Sequence, residues 1–203
     1  MKINKYVLLL LLLGVAFCAH ASWMPAKAWL AEQLIQRSWH HFQQTGQTLK
    51  PWPWADTHAI ANLKFVRLHR EVIVLDGGDP STLAFSAGAV APFNQAFSYL
   101  PFVVAGHRDS HFSFLPEVRM TDIISLTDEN GQNQLYQVDS LEIIDSKTQE
   151  LSSNATSVEA NIDPNTNSKK QENAELILIT CYPFNALSAG GSLRYVIKAK
   201  PLA

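Results

Sequence analysis

The stretch Glu175-Leu176-Ile177-Leu178-Ile179-Thr180-Cys181-Tyr182-Pro183 joins a strand pattern to a reactive side chain. Its four consecutive aliphatic residues, 176–179, are typical of a continuous apolar β-strand. Pro183 has no backbone N–H for a ladder hydrogen bond, so the strand is expected to end just before it. Cys181 is therefore predicted at a strand end, where the backbone turns out of the sheet. That position favours a nucleophile over a core residue.

The composition excludes several classes of protein. The 203-residue chain has only two cysteines, which excludes a disulfide-stapled mini-protein and a four-cysteine zinc site. Hydrophobic residues make up 47%, enough for a core, so wholesale disorder is excluded. The formal net charge of −2 provides no basic field, and we expect no nucleic-acid partner. The length suits one domain with a short appendage.

The N-terminus has the pattern of an export segment. Lys2 and Lys5 precede the apolar run Tyr6–Ala19, and Ala19-His20-Ala21 matches a small-x-small cleavage site. Residues 1–22 are thus predicted to be a signal peptide cleaved after Ala21, or a retained membrane anchor. The run is short for a membrane span, which needs about 20 apolar residues. Either alternative places residues 23–203 outside the cytoplasm, on the periplasmic side of the inner membrane.

The cysteine count then separates the two thiols. Cys18 belongs to the export segment, which leaves Cys181 unpaired in an oxidising compartment. A lone cysteine there is either buried and inert or present for its chemistry, and the count alone does not choose.

Residues 23–58 are predicted to form a helix over 26–44, with Pro25 in its first turn, followed by Pro51-Trp52-Pro53-Trp54. The tryptophans would either touch lipid headgroups or, as we favour, pack on the domain. Residues 59–203 are predicted to be a β-domain, a closed barrel or sandwich, with the polar segment 146–173 as a long loop. Short helical turns are expected near 81–84 and 112–117. The candidate strands are 61–68, 71–75, 102–106, 123–128, 133–144, 175–180 and 193–200.

Two further residues could act with the thiol. His107 follows the strand pattern 102–106, and Gly106 before it lets another part of the chain approach closely. A thiol within reach of an imidazole is the basic arrangement of nucleophilic cysteine catalysis. Arg194 begins the last strand, which we expect to neighbour the Cys181 strand, and there it could hold a carbonyl oxygen or an oxyanion. His107 and His111 could share a helical face, but no nearby Glu or Cys completes a metal site, and we expect no metal or cofactor.

The three segments around His107, Cys181 and Arg194 resemble, in order and spacing, the motifs of the sortase family. Those segments are Ala105-Gly106-His107-Arg108-Asp109, Ile179-Thr180-Cys181-Tyr182-Pro183-Phe184 and Leu193-Arg194-Tyr195-Val196. The proteobacterial branch called class GN is most similar, because it also shows stretches like Pro25–Leu30, Pro51–Asp56 and His107–Leu115. The resemblance covers about residues 23–200. It departs at Phe97–Pro101, where relatives carry Gly-Gly-Asn, and at the longer loop Ser146–Asn173.

The resemblance implies an eight-stranded sortase-type β-barrel and a cysteine transpeptidase that cleaves a Leu-Pro-x-Thr-Gly-like C-terminal sorting signal on a surface protein. By that analogy Cys181 forms a thioester with the threonine carbonyl. His107 donates a proton to the departing amine, and Arg194 binds the substrate carbonyl or the oxyanion. Thr180 and Tyr182 are expected to contact substrate. The acceptor would be an amine, on peptidoglycan or a lipid-linked precursor, and an uncleaved N-terminal segment would hold the enzyme in the cytoplasmic membrane.

Two other functions remain open from the residues. One is a different exported thiol peptidase, such as an L,D-transpeptidase acting on peptidoglycan, although in that family the arginine follows the cysteine within a few residues. The other is a non-catalytic β-domain that binds a surface protein and in which Cys181 is structural.

Overall fold

The computed structural model describes residues 5–148, 174–186, 188 and 190–202. Most of the predicted polar loop, from residue 149 to residue 173, lies outside these described residues. The described chain forms a long N-terminal helix, eight strands, one short helix and a 3-10 turn at Leu115–Glu117. The helices are α1, Lys5–Thr45, and α2, Pro80–Leu83. The strands are β1, Ala59–Phe65; β2, Arg70–Asp76; β3, Ala87–Ala89; β4, Phe102–Ala105; β5, Ile123–Asp128; β6, Asn133–Asp145; β7, Leu176–Cys181; and β8, Leu193–Pro201.

The eight strands close into one barrel in the order β1-β2-β3-β4-β7-β8-β6-β5. All neighbours are antiparallel except β2–β3 and β4–β7, which are parallel. The prediction of an eight-stranded, mainly β barrel with short helices is therefore confirmed. Closure leaves no unpaired sheet edge, so every strand has two partners.

The barrel interior holds the main core. Alternate residues of each strand point inward, so that Leu176 and Leu178 of β7 meet Ile197 and Ala199 of β8 in one buried cluster. A second, smaller cluster lies outside the barrel wall, where Ile35 and Trp39 of α1 pack against β1 and β2. Thus α1 covers part of the outer surface of the barrel, and side chains fill its interior.

Seven strands match the sequence pattern to within a few residues, and one strand is missed. β3 has only the three residues Ala-Gly-Ala, with no β-branched or aromatic side chain. Its position is set by close packing instead, because a Cβ on Gly88 would lie 1.9 Å from the carbonyl oxygen of Gly77. The expected helical turns are found as α2 and as the 3-10 turn.

The helix prediction for 26–44 differs from the structure at its beginning. α1 is continuous from Lys5 to Thr45, and Pro25 lies inside it rather than in a first turn. Pro25 removes one backbone hydrogen bond but does not end the helix. The predicted export segment and the helix predicted over 26–44 are therefore a single element.

Candidate active site

The ends of three neighbouring strands bring the predicted residues together. β4 and β7 pair in parallel, with Ala105 opposite Ile179, and the Gly106 N–H continues this ladder to the carbonyl of Ile179 at 3.1 Å. His107 and Cys181 each follow two positions later on adjacent strands about 4.8 Å apart. On the other side of β7, Arg194 of β8 lies directly opposite Cys181. The expected adjacency of the last two strands is confirmed.

Strand alternation places the thiol and the guanidinium on the outer face of the barrel. The inward residues of β7 and β8 belong to the main core, whereas Ile177 and Val196 belong to a separate cluster on the other side of the sheet. Cys181 and Arg194 have the same parity as Ile177 and Val196, respectively. We call this cluster the outer apolar patch; it contains Val103, Ile177 and Val196, with the partly buried Val90, Phe93, Ile144 and Ile179 against it. Cys181 is half-buried, and it forms no disulfide.

The turn that carries His107 is fixed by packing. A Cβ at Gly106 would lie 2.6 Å from the ring of Phe112, so only glycine fits beside that fully buried side chain. The backbone N–H of Phe112 donates to the carbonyl of His107 at 3.0 Å. His107 itself is exposed. The close approach predicted at Gly106 is thus made by a ring from the same turn.

The structure shows a contact of the Thr180 side chain with the protein backbone, whereas the sequence predicts a contact with substrate. Its side chain is buried, and its hydroxyl donates to the carbonyl of Gly106 at 2.7 Å. This hydrogen bond ties the strand of the thiol to the residue just before His107. Tyr182 lies after Cys181 and is half-buried, with its ring stacked on Tyr195 at 6.5 Å and edge-on to Phe184 at 6.1 Å.

The guanidinium of Arg194 is held by backbone carbonyls where the segment between β7 and β8 ends. Its Nη1 donates to the carbonyls of Gly191 at 2.6 Å and Leu193 at 2.9 Å. Asp145 of β6 lies opposite Leu193. The backbone N–H of Lys147 and the Ser192 hydroxyl lower the pKa of Asp145, and Arg194 adds a favourable charge. The residue opposite Cys181 in the β7–β8 register therefore carries a cation fixed by backbone carbonyls, and its positive charge is partly balanced by this carboxylate.

The second histidine of the turn is less accessible than the first. His111 is partly buried, and this burial lowers its pKa, opposed by Glu32 and reinforced by His107. This burial therefore favours the neutral form of His111. Among the described residues, no group of three His, Cys, Asp or Glu side chains could hold a metal ion.

Comparison with known proteins identifies the family of this chain. A model of the sortase domain matches residues 63–202, which include every strand from β2 to β8 and all three candidate residues. The chain belongs to the sortase family. Sortases are cysteine transpeptidases that act on surface proteins with sorting signals. No curated protein matches the chain.

Solved sortase structures share the barrel at low sequence identity. Sortase A from Corynebacterium diphtheriae is 24% identical with a TM-score of 0.53, over 77% of this chain and 66% of that one. A sortase D5 transpeptidase from Clostridium perfringens is 13% identical with a TM-score of 0.57, over 86% of this chain and 99% of that one. Sortase C-1 from Actinomyces oris is 17% identical with a TM-score of 0.53, over 70% and 71%. These similarities confirm the sortase-type barrel.

The sequence alone does not predict the contacts of one further residue near this sortase's candidate site. Arg108, next to His107, donates from Nη2 to the carbonyls of Ala186 at 3.1 Å and Ser188 at 2.8 Å. It therefore links the His107 turn to the segment after Cys181. An arginine directly after the histidine was visible in the sequence, but its partners lie 78 and 80 residues away, and no local pattern reveals such contacts.

Proposed function

We propose that this sortase is a thiol transpeptidase that uses Cys181 as nucleophile, His107 as general acid and base, and Arg194 as oxyanion donor. The observation that carries the proposal is the convergence of three strand ends, β4, β7 and β8, with Cys181 and Arg194 directly opposite each other in the β7–β8 register. An exposed imidazole, a half-buried thiol and a fixed cation beside an apolar patch suit acyl transfer from a peptide.

The reaction proceeds in two balanced halves. The Cys181 thiolate attacks the carbonyl carbon of the scissile peptide bond, and a C–S bond forms as the carbonyl π electrons move to oxygen. The tetrahedral intermediate collapses, the C–N bond breaks, and the His107 imidazolium gives its proton to the leaving amine. An incoming amine then attacks the thioester, His107 takes its proton, and the thiolate leaves. The product has a new peptide bond, and the enzyme returns to its starting state.

Arg194 stabilises the oxyanion in both halves. A guanidinium carries five N–H donors. The two on Nη1 are used by the carbonyls of Gly191 and Leu193, which fix the plane of the group. Within the part of the chain that the structure describes, the donors on Nε and Nη2 have no hydrogen-bond partner and are available to the substrate oxygen. Donors that are fixed before the reaction cost no reorganisation when charge develops on that oxygen.

The outer apolar patch supports a substrate with an aliphatic side chain before the scissile bond. Its partly buried members, which include Ile144 and Ile179, lie on the same side of the sheet as Cys181. A Leu-Pro-x-Thr-Gly-like sorting signal provides such a side chain, and by motif similarity we assign the chain to class GN. The acceptor is an amine on peptidoglycan or a lipid-linked precursor. The enzyme works on the periplasmic side of the inner membrane.

Thr180 and Arg108 act as positioning residues in this scheme. The Thr180 hydroxyl sets the spacing between the strands of the thiol and the imidazole. Arg108 holds the segment after Cys181, including Tyr182, against the His107 turn. Tyr182 then forms one wall of the peptide site.

The test is to replace Cys181 with alanine and to use Cys18→Ala as the matched control. We expect Cys181→Ala to lower the cleavage rate of a Leu-Pro-x-Thr-Gly peptide by at least about 10³-fold, because the nucleophile is lost. Its thermal unfolding should match that of the parent protein. Cys18→Ala should keep full activity, since Cys18 lies on the export segment of α1.

A mass spectrum of the parent enzyme mixed with peptide should show the acyl group on Cys181 and no other residue. Full activity in Cys181→Ala would overturn the proposal. Release of D-alanine from peptidoglycan stem peptides, with no cleavage of the sorting peptide, would instead favour an L,D-transpeptidase.

A further inference from the structure

A groove with an apolar lining lies outside the barrel, on parts of the chain that do not carry Cys181. It has a volume of about 460 Å³ and is formed between α1 and the segment that follows it. We call it the α1 groove. Its lining residues are Lys27, Leu30, Ala31, Leu34, Trp52, Trp54, Ala55, Asp56, Thr57, Ser81, Thr82 and Phe85.

The two tryptophans of the Pro-Trp-Pro-Trp segment behave differently in this groove. Trp52 is half-buried and packs edge-on to Phe85 with a centroid distance of 4.8 Å. It also contacts the cluster that joins α1 to the barrel. Trp54 is 80% exposed. The expectation that the tryptophans pack on the domain therefore holds for Trp52, whereas Trp54 is presented to the surroundings.

Further apolar side chains continue this surface along α1. Trp23, Met24, Trp29 and Leu30 are each more than half exposed. The Lys27 amine lies 4.8 Å from the centre of the Trp23 ring, so the first charge after the apolar run lies over an aromatic face. From Tyr6 to Leu30 the helix is exposed all along, and its first buried residue is Ala31.

The continuous helix sets the depth of the α1 groove relative to a bilayer. No Asp, Glu, Lys or Arg occurs among the 21 residues 6–26. At 1.5 Å per residue this segment is about 31 Å long, which matches a hydrocarbon core of about 30 Å. The apolar run alone seemed short for a span, but α1 extends it through Trp23 and Met24. The next four residues, 27–30, then cross a headgroup layer that is about 5–7 Å thick.

Trp54 lines the same groove as Lys27 and Leu30, so it lies at the level of this headgroup layer although it comes from the barrel side. Indole rings prefer that layer, because one part of the ring is apolar and its N–H is polar. Lysines at helix ends place their amines there as well, near lipid phosphates. A lipid surface therefore fits both the depth and the chemistry of the α1 groove.

We propose that the α1 groove docks on the lipid surface in which α1 is anchored, with Trp54, Trp29 and Leu30 inserted among the headgroups. The contact is independent of catalysis, because it uses neither Cys181 nor His107. It joins the barrel to the membrane at a second point besides the helix. The barrel is then held in one orientation, and the groove is covered by lipid.

The test places a fluorescent probe at Trp54 in the full chain. Trp54→Cys is made in a background of Cys18→Ala and Cys181→Ala, labelled with bimane, and reconstituted in vesicles of phosphatidylethanolamine and phosphatidylglycerol. We expect the bimane emission to be blue-shifted relative to that of the same probe exposed to buffer. We also expect lipids brominated near the headgroup to quench this emission by at least about half. Because Trp54 is exposed, this substitution leaves the core intact.

The matched control is Val66→Cys in the same background. Val66 is exposed in the turn between β1 and β2, and the seven-residue strand β1, about 23 Å long, separates it from Thr57 of the groove. Its probe should show the emission of water and no quenching by brominated lipid. Equal behaviour of the two probes, with α1 inserted, would overturn the proposal.

A second measurement separates lipid from another copy of the chain as the occupant. The Trp54→Cys protein, unlabelled, is oxidised in vesicles at one chain per several thousand lipids. Monomers that remain after oxidation support the lipid contact. A disulfide-linked dimer formed in high yield at that dilution would overturn it and assign the groove to a second copy.

Discussion

The inner and outer faces of strands β4, β7 and β8 have different roles, although their residues alternate along the same chain. The inner face is built from fully buried aliphatic side chains such as Leu178 and Ile197. The outer face carries Cys181 and Arg194 beside the smaller outer apolar patch. The period of two along a strand thus lets one segment provide the core and the candidate chemistry at once. A substitution of a buried inner residue should change stability, and a substitution of Cys181 or Arg194 should change activity.

After the loss of the Cys181 nucleophile itself, the largest effect on this comparison is expected at Arg194, on the outer face. Arg194→Ala should lower kcat/KM for the sorting peptide by about 10²- to 10³-fold, because one oxyanion donor is worth about 3–4 kcal/mol. Arg194→Lys should recover little, since an ammonium lacks the planar fork. Both variants should unfold at the same temperature as the parent protein. Arg70→Ala, an exposed arginine at the start of β2, is the matched control and should keep full activity.

If Arg194→Ala lost stability instead of activity, this result would contradict the division of roles between the two faces. Steady-state kinetics and calorimetry on the same preparation decide between these outcomes.

A smaller effect is expected at Arg108, which connects two loops rather than lying in either face. Arg108→Ala removes both hydrogen bonds to the segment after Cys181. We expect KM for the peptide to rise about tenfold, equivalent to about 1.4 kcal/mol, with kcat changed by less than about threefold. Arg108→Lys should restore part of the loss. A displaced pH profile of kcat/KM would instead show that Arg108 acts on the charge of His107.

The smallest effect is expected on the inner face, at Tyr136 of β6. Burial raises the pKa of Tyr136 from 10.0 to about 12. Because the folded state disfavours the phenolate, this stability is fully present below pH 10 and is lost as the pH rises through 12. At pH 11 the parent protein should have lost about 1 kcal/mol of unfolding free energy that Tyr136→Phe retains.

Urea unfolding at pH 8 and pH 11 measures this difference. Tyr99→Phe, at an exposed tyrosine, is the control and should follow the parent protein at both pH values. Peptide cleavage at pH 8 should be the same in all three proteins. A loss of activity in Tyr136→Phe at that pH would contradict the division between the faces.

The barrel was largely predictable from the sequence because most strands have strong local patterns. β5 was predicted with its observed ends, and β6 and β8 to within one residue at each end. β3 could not be predicted, since its Ala-Gly-Ala sequence has no strand preference and its place is set by contacts with Gly77. The joining of the export segment to α1 was missed because a proline is normally a boundary, and Pro25 is not one here.

The sequence predicts that the ends of three strands carry the candidate residues, but it does not predict the contacts that support them. The order of His107, Cys181 and Arg194 matched a family motif, and strand ends are visible in the sequence. The burial of the Thr180 hydroxyl depends on the register of β7 with β4, which are distant in sequence. The same holds for the partners of Arg108 and for the different exposures of Trp52 and Trp54. Contacts of this kind follow from the closed barrel and not from local pattern.

The parallel pairing of β4 with β7 has a consequence for when the enzyme can first react. His107 and Cys181 meet only after a chain segment of more than 70 residues has closed, and β8 must then add Arg194 beside them. Such long-range pairing forms late in folding. In the proposed mechanism, peptide transfer therefore begins only when the final strand has completed the barrel.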